Sequence, residues 1–274
     1  MKDMAPATTS EPIPPEWAVP DLRTEFWRGK TKSHCVIIPV INEGERIRAF
    51  VERMRMTEIS DLADILIVDG GSTDGSLEHA QLIEAGIRGL LTKVGPGKLS
   101  AQLRVGYAFT LAQGYQGIIT IDGNNKDDPS AIPSFISAIE SGYDFVQASR
   151  FINGGQHENT PQSRYLAIRL LHAPLLSLSS GFDWTDTTQG FRAYSSSALL
   201  DERVKIFRDD FSTYELLAYL SYRLPKLGYR CIELPAKRDY PRGEVPTKIS
   251  AVKGNLSLIK ILVKACLGGY NPDD

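Results

Sequence analysis

The run Ile118-Ile-Thr-Ile-Asp122-Gly-Asn-Asn-Lys126-Asp-Asp128-Pro129 joins an apolar strand to a polar turn and then to a helix start. A parallel strand delivers its last side chains to the carboxyl edge of the sheet, where open α/β folds bind ligands. A carboxylate at that edge accepts from hydroxyls or ligates a cation, and the ammonium of Lys126 can neutralise phosphate. Two similar turns precede it: Asn42-Glu43 after the apolar run Cys35–Val40, and Asp69-Gly-Gly71 after Ala63–Val68. One acid after a strand is commonplace, because Asp favours turns for its own backbone bonding. Three in register on one edge point to a nucleotide, whose base N–H groups and ribose hydroxyls need acceptors. The stretch Asp69–Ser76 is rich in Gly, Ser and Asp, with Thr73 or Asp74 as a helix cap. Gly95-Pro-Gly-Lys98 also precedes a helix. Its exposed N–H groups, the helix N-terminus and the lysine charge together suit a diphosphate. It lacks the spacing of a Walker loop, and no G-x-G-x-x-G follows the first strand, which counts against a dinucleotide oxidoreductase.

The elements that must position these residues are legible up to about Arg150. Strands are expected at Cys35–Val40, Ala63–Val68, Gly89–Thr92, Ile118–Ile121 and Phe145–Ala148, and helices at Glu45–Met56, Ser76–Ala85, Ser100–Gln113 and Ser130–Glu140. Such alternation predicts a mostly parallel sheet covered by helices on both faces. Beyond Arg150 the rhythm breaks. A Gly/Asn-rich loop covers Phe151–Pro161, Tyr165–Leu178 is apolar around Pro174, Thr188–Tyr194 and Tyr229–Leu234 read as strands, and Ser212–Leu224 reads as a helix. Residues 1–34 carry Pro12, Pro14, Pro15 and Pro20 and read as an irregular leader, anchored by Trp17, Phe26 and Trp27. The division expected is therefore a leader over 1–34, a catalytic α/β domain over 35–250, and a basic amphipathic helix and tail over 251–274.

Bulk properties exclude several classes. With 42% hydrophobic and 23% charged residues the 274-residue chain has a globular composition, and a net charge of -2 gives no support to nucleic-acid binding. Three scattered cysteines, Cys35, Cys231 and Cys266, read as reduced thiols. No basic start followed by an apolar core reads as a signal peptide. No uncharged run approaches the roughly 20 residues of a membrane span. A cytoplasmic location is the expectation. The segment around Tyr165–Phe182 and the last helix, with Lys253, Lys260 and Lys264 along one face, could still lie on a lipid surface.

In order and spacing, Pro39-Val-Ile-Asn-Glu43, Val68-Asp-Gly-Gly-Ser-Thr-Asp-Gly75, Gly97-Lys-Leu-Ser-Ala-Gln-Leu-Arg-Val-Gly106 and the Asp122 turn resemble the family 2 glycosyltransferases of the GT-A fold. Asp186-Thr-Thr-Gln-Gly-Phe-Arg192 resembles a segment of the polyprenol-phosphate sugar transferases within that family, and Phe211–Glu215 and Arg238–Lys248 do so more loosely. The resemblance spans about Cys35 to Ser250. It implies a GT-A, Rossmann-like sheet and a nucleotide diphosphate sugar donor (UDP or GDP), with the nucleotide held around Pro39, Asn42, Glu43, Asp69, Gly71, Lys98, Asp122 and Gly123. It also implies a divalent cation, Mg2+ or Mn2+, at Asp122, Asn124 and Asp128. Here the chain departs from the pattern: Asn124 replaces the second acid and Lys126 the next polar ligand. One acid lost and one cation gained weaken a site for a hard cation. Asp127 or Asp128 would have to compensate, or Lys126 with Arg150, Arg192 or Arg242 would neutralise the leaving diphosphate.

The acceptor divides the readings. A lipid phosphate is already anionic and needs only cations to position it, with Arg150, Gln189, Arg192, Arg242 and Lys248 as candidates. A hydroxyl needs a carboxylate base, for which Asp209, Asp210 and Glu215 are candidates. The leading expectation is inverting transfer to a polyprenyl-phosphate-type acceptor, with Asp122, Lys126, Arg192 and Glu215 as the catalytic set. The alternatives are a hydroxyl acceptor in polysaccharide, glycolipid or secondary-metabolite assembly, and a nucleotide-sugar-binding protein without catalysis.

Overall fold

Cys35 and Ile37 face one apolar cluster and Val36, Ile38 and Val40 the other, and Leu66/Val68 and Ile65/Ile67 divide in the same way. Such two-sided burial requires a sheet sandwiched between helices. The computed structural model describes residues 12–241 and 253–273. Arg242 and Lys248 therefore lie outside the described residues.

The chain runs β1 (Leu22–Trp27), β2 (His34–Val40), α1 (Glu45–Met56), β3 (Asp64–Asp69), α2 (His79–Glu84), β4 (Gly89–Lys93), α3 (Leu99–Ala112), β5 (Gly117–Thr120), α4 (Ile132–Glu140) and β6 (Phe145–Ser149). It continues through β7 (Gln156–Glu158), α5 (Gln162–Ala167), α6 (Ala173–Ser180), β8 (Arg192–Ser195), α7 (Ser196–Leu200), α8 (Glu215–Lys226), β9 (Cys231–Pro235), β10 (Lys237–Asp239) and α9 (Lys253–Cys266). Eight strands form one sheet in the order β1-β4-β3-β2-β5-β8-β6-β9. Strands β4, β3, β2 and β5 are parallel, β8 runs antiparallel between β5 and β6, and β1 closes the opposite edge antiparallel to β4. A separate ribbon pairs β10 with β7 in parallel. The mostly parallel sheet with helices on both faces is the architecture expected.

Several elements differ from expectation: the loop expected over Phe151–Pro161 carries strand β7, and the helices expected from Ser76 and Ser212 start at His79 and Glu215. The leader was read as irregular, yet Leu22–Trp27 is an edge strand in register with Gly89–Lys93. Its prolines stop at Pro20, and the following residues alternate, Phe26 packing on one core and Trp27 on the other. Trp17 stacks on Phe207 at 4.0 Å between centroids, so the anchoring expected of the aromatic residues holds. The strand expected over Thr188–Tyr194 shrinks to Arg192–Ser195, because Thr188–Phe191 form a loop over the site. In the apolar stretch around Pro174, α5 and α6 are joined into one helical run by a π-helical turn, Ile168–His172, and Pro174 follows directly on that irregular turn.

Candidate active site

The carboxyl ends of β3, β2 and β5 lie side by side, with Val40 opposite Asp69 and Ile37 opposite Thr120. Adjacent strands are about 4.8 Å apart, so the three acid-bearing turns share one short edge. The first two are stitched together. Ser72 donates its N–H and hydroxyl to Asp69, Asn42 N–H donates to Ser72 Oγ at 2.9 Å, and Thr73 N–H donates to Asn42 Oδ1 at 2.8 Å. Gly44 N–H reaches Asp74 at 2.8 Å. Asn42 holds a left-handed φ of 48° and Gly71 one of 96°, a conformation Gly adopts without strain. Glu43 accepts from Arg46, the second residue of α1, at 2.8 Å. Pro39 is buried in β2, and its carbonyl accepts from Gly123 N–H at 3.4 Å. A side chain at Gly123 would meet Val40 at 2.8 Å, so this glycine lets the Asp122 turn close onto the sheet.

Lys98 stands before α3 as expected, exposed, with its ammonium 5.6 Å from the Tyr214 ring centre. The helix start itself is less available than the sequence suggests. The N–H groups of Lys98 and Ser100 donate to the carbonyls of Ser212 and Thr213, at 2.7 and 2.8 Å. Two further residues hold this edge, Gln102 from within the Gly97–Gly106 motif but with no role assigned from the sequence, and Lys93, not singled out there. Gln102 donates its amide to the carbonyls of Val40 and Val68, tying α3 to both strand ends. Lys93, buried, donates to the carbonyls of Gly95 and Pro96. A glutamine on a buried helix face and a lysine inside an apolar strand were the signals available.

Asp122 is the centre of the third turn, its side chain 22% exposed. Arg238 on β10 donates to Asp122 Oδ2 at 3.4 Å and, through its other terminal nitrogen, to the fully buried Asp127. Burial raises the Asp127 carboxyl, and Arg238 beside it pulls the other way. Lys126 is buried 5.2 Å from the centre of the Tyr240 ring, and burial and Arg238 pull its ammonium below the ordinary lysine range. Tyr240 is a hub of cations. Arg164 donates to its hydroxyl at 3.0 Å, Arg150 lies 3.5 Å away, and Arg238 flanks the ring at 5.7 Å. Neither Arg164 nor Tyr240 stands out in the sequence, because they come from α5 and from the end of β10, far along the chain from the Asp122 turn.

Burial raises the Tyr240 hydroxyl, but Arg238, Arg164 and Arg150 outweigh it and draw the group down to about 8. An unfolded tyrosine titrates near 10. The folded value is the lower one, so the resulting stability is fully present above pH ~10 and is lost as pH falls through about 8. An ultraviolet pH titration should show one tyrosine ionising near pH 8, and Tyr240→Phe should lose that step. Anion affinity should also fall as pH rises through this point, since a phenolate then competes for the same cations.

The Asp186–Arg192 segment braces the site from behind. Arg150 grips Asp186 through two bonds, Nε–Oδ2 at 2.6 Å and Nη2–Oδ1 at 3.0 Å, with both side chains buried. Gln189 donates to Asp186 at 2.7 Å. Arg192 was expected to touch phosphate, but it is 1% exposed. Its guanidinium donates to the carbonyls of Gln189, Leu217 and Thr187 and to Ser221 Oγ. It supports the loop instead of facing a ligand. Glu215, expected as a base, is buried at the start of α8 and accepts from the N–H and hydroxyl of Thr213. Asp209 pairs with Arg104 with its side chain 91% exposed, and Asp210 pairs with Arg208. The brace presents Gly190 against Asp122, where a methyl group would fall 2.4 Å from Asp122 Oδ1. Gly190→Ala should displace the carboxylate and lower turnover roughly 10- to 100-fold, read as kcat with the circular dichroism spectrum unchanged.

The oxygen donors do not fit a resident divalent ion. Asn124 donates to Asp122 Oδ2 at 3.4 Å and accepts from Lys126 N–H at 3.2 Å. Asp128 caps the turn at Pro129, accepting from Ser130 N–H, and pairs with Arg53 at 3.2 Å. Asp127 is committed to Arg238. Among the described residues no three His, Cys, Asp or Glu side chains converge here.

A mostly parallel α/β sheet, with acids at adjacent strand ends and a cationic cleft beside them, is of the class that binds nucleotides at the carboxyl edge of its strands. Residues 35–202 match the model of "Glycosyl transferase family 2", well over half of the chain, and the protein belongs to that family. It is 26% identical over 208 residues to the polyprenol monophosphomannose synthase of Mycolicibacterium smegmatis, covering 75% of this chain and 77% of that protein. It is 27% identical over 201 residues to the undecaprenyl-phosphate mannosyltransferase of Micrococcus luteus, covering 73% and 80%. Among solved structures it resembles glucosyl-3-phosphoglycerate synthase of Mycobacterium tuberculosis in complex with Mn2+ and UDP, at a TM-score of 0.56 and 19% identity over 90% of this chain and 82% of that one. That likeness carries the GT-A fold.

Proposed function

We propose that this glycosyltransferase moves a sugar from a UDP- or GDP-linked donor to a polyprenyl-phosphate-type acceptor with inversion. The observation that carries the reading is the cation cluster of Lys126, Arg150, Arg164 and Arg238 around Tyr240 beside Asp122. A phosphate acceptor needs positive charge to hold it and no strong base, because its oxygen is already anionic. The carboxylates that a hydroxyl acceptor would require, Asp209, Asp210 and Glu215, are each bound to other partners. The names of the relatives from Mycolicibacterium smegmatis and Micrococcus luteus support the same acceptor class.

In this reading the Asn42–Glu43 and Asp69 turns receive base and ribose, and the Asp122 turn receives the diphosphate. The acceptor enters from a neighbouring cavity of about 590 Å³, lined by Arg150, Phe151, His157, Tyr165 and Arg169 among others. Its aromatic and cationic walls suit the first isoprene units and the phosphate of a lipid. Arg242 and Lys248 remain acceptor candidates outside the described residues. No helix among the described residues is long and apolar enough to cross a membrane. Leu166, Leu170 and Leu178 on the α5–α6 segment and Leu256, Val263 and Leu267 on α9 are exposed, a set suited to lying on a bilayer surface. The inner face of α9, with Ile261, Leu262 and Ala265, packs on the core.

The test is release of nucleoside diphosphate from UDP- and GDP-sugars, with and without polyprenyl phosphate in detergent. Release stimulated by the lipid supports the reading. Release that ignores the lipid, or none with any donor, contradicts it.

A further inference from the structure

The Asp122 turn carries its own positive charge at the place where the fold family puts a metal ion, and the chain is built to keep it there. Arg238 does not reach the turn as a loose surface side chain. Its backbone is bridged to Asp127, Asp239 N–H donates to the Lys126 carbonyl at 2.9 Å, and Asp128 N–H donates to the Lys237 carbonyl at 3.1 Å. Residues 126–128 and 237–239 are thus laced together, and the 5%-exposed guanidinium spans the carboxylates of Asp122 and Asp127. A buried guanidinium bonded to two acids is costly to remove, because it would leave both carboxylates uncompensated. A divalent ion entering here would have to displace it and would still find an amide at Asn124 and an ammonium at Lys126.

We propose that Arg238 and Lys126 together supply the charge that neutralises the leaving diphosphate, so that donor binding and transfer proceed without a divalent metal. This rests on the glycosyltransferase reading above. In the transfer step, an acceptor phosphate oxygen forms the new bond to the anomeric carbon. The bond from that carbon to the diphosphate oxygen breaks, and its electron pair leaves with the nucleoside diphosphate. The added negative charge falls on an oxygen beside the two cations, and no proton moves. Fixed charges of this kind stabilise the developing anion without reorganisation.

The experiment is calorimetric titration of UDP and GDP into the full-length protein, in EDTA and again in Mn2+. Wild-type binding of one nucleotide should be equal within about twofold in the two conditions. Lys126→Gln should weaken binding in EDTA by more than tenfold. Arg238→Met should weaken it similarly and make it Mn2+-responsive, because Asp122 and Asp127 are then released as metal ligands; a folded Lys126→Gln keeps the test decisive should Arg238→Met be unstable. Wild-type binding that vanishes in EDTA and returns with Mn2+ overturns this inference and leaves the transferase reading standing. Binding of neither nucleotide in either condition overturns both.

Discussion

Asp122→Asn should lower turnover by roughly 10²- to 10³-fold while leaving the thermal midpoint within about 2–4 °C of wild type. The isosteric amide keeps the packing of the turn but removes the one charge that both reaches the cleft and orients Arg238. Asp127 and Asp186, the neighbouring acids, are fully buried and committed to arginines, so neither can take over. The Asn124 amide next to it is a donor to Asp122 and would face a second amide after the change. Steady-state kinetics with saturating donor, alongside a melting curve, separates loss of chemistry from loss of fold. Undiminished turnover would remove Asp122 from the reaction centre and with it the placement of the diphosphate.

The second large effect is on stability. Arg150→Ala should cost about 3–5 kcal/mol, since breaking a buried pair strands the surviving charge. In a domain of this size that is a fall of roughly 6–20 °C in midpoint. The double variant Arg150→Met/Asp186→Leu should recover a large part of it, because no lone charge is then left in the interior. Arg150 also touches Thr188 and lies near the Tyr240 hydroxyl, so activity falls in both variants. A single variant that melts like wild type yet loses activity would remove Arg150 from the brace and leave only its part in the cation cluster.

These two outcomes divide along the line between what the sequence makes visible and what it hides. The Cys35–Val40, Ala63–Val68 and Ile118–Ile121 runs are near-continuous apolar segments ended by polar turns. Buried parallel strands leave that pattern, so the acid-bearing edge could be read directly. The second half resists for physical reasons. Arg192 sits behind Gly190-Phe191 in an attractive motif, but strand-end position alone cannot tell a phosphate ligand from a guanidinium that satisfies loop carbonyls. Glu215 reads as a base, but nothing local shows that it folds back onto the N–H and hydroxyl of Thr213. The edge strand β1 is masked by the prolines just before it. Arg238 and Tyr240 act on the turn at 122–128 across more than a hundred residues, through a single antiparallel bridge and a few backbone bonds that have no local signature. The motif residues Asn42, Asp69, Gly97 and Gln102 are individually visible, whereas their stitching of α3 and two loops into one edge is not.

The most direct test of the proposed reaction is a comparison of acceptors that differ only in the phosphate. Labelled donor is incubated with polyprenyl phosphate or with the corresponding free polyprenol, and label is counted in the lipid extract. Transfer to the phosphate with none above background to the alcohol is the predicted result, because the cleft offers cations and its one reachable carboxylate, Asp122, is paired with Arg238. Equal transfer to the alcohol, or transfer to the alcohol alone, would contradict the account and require a carboxylate base that the present assignment does not contain.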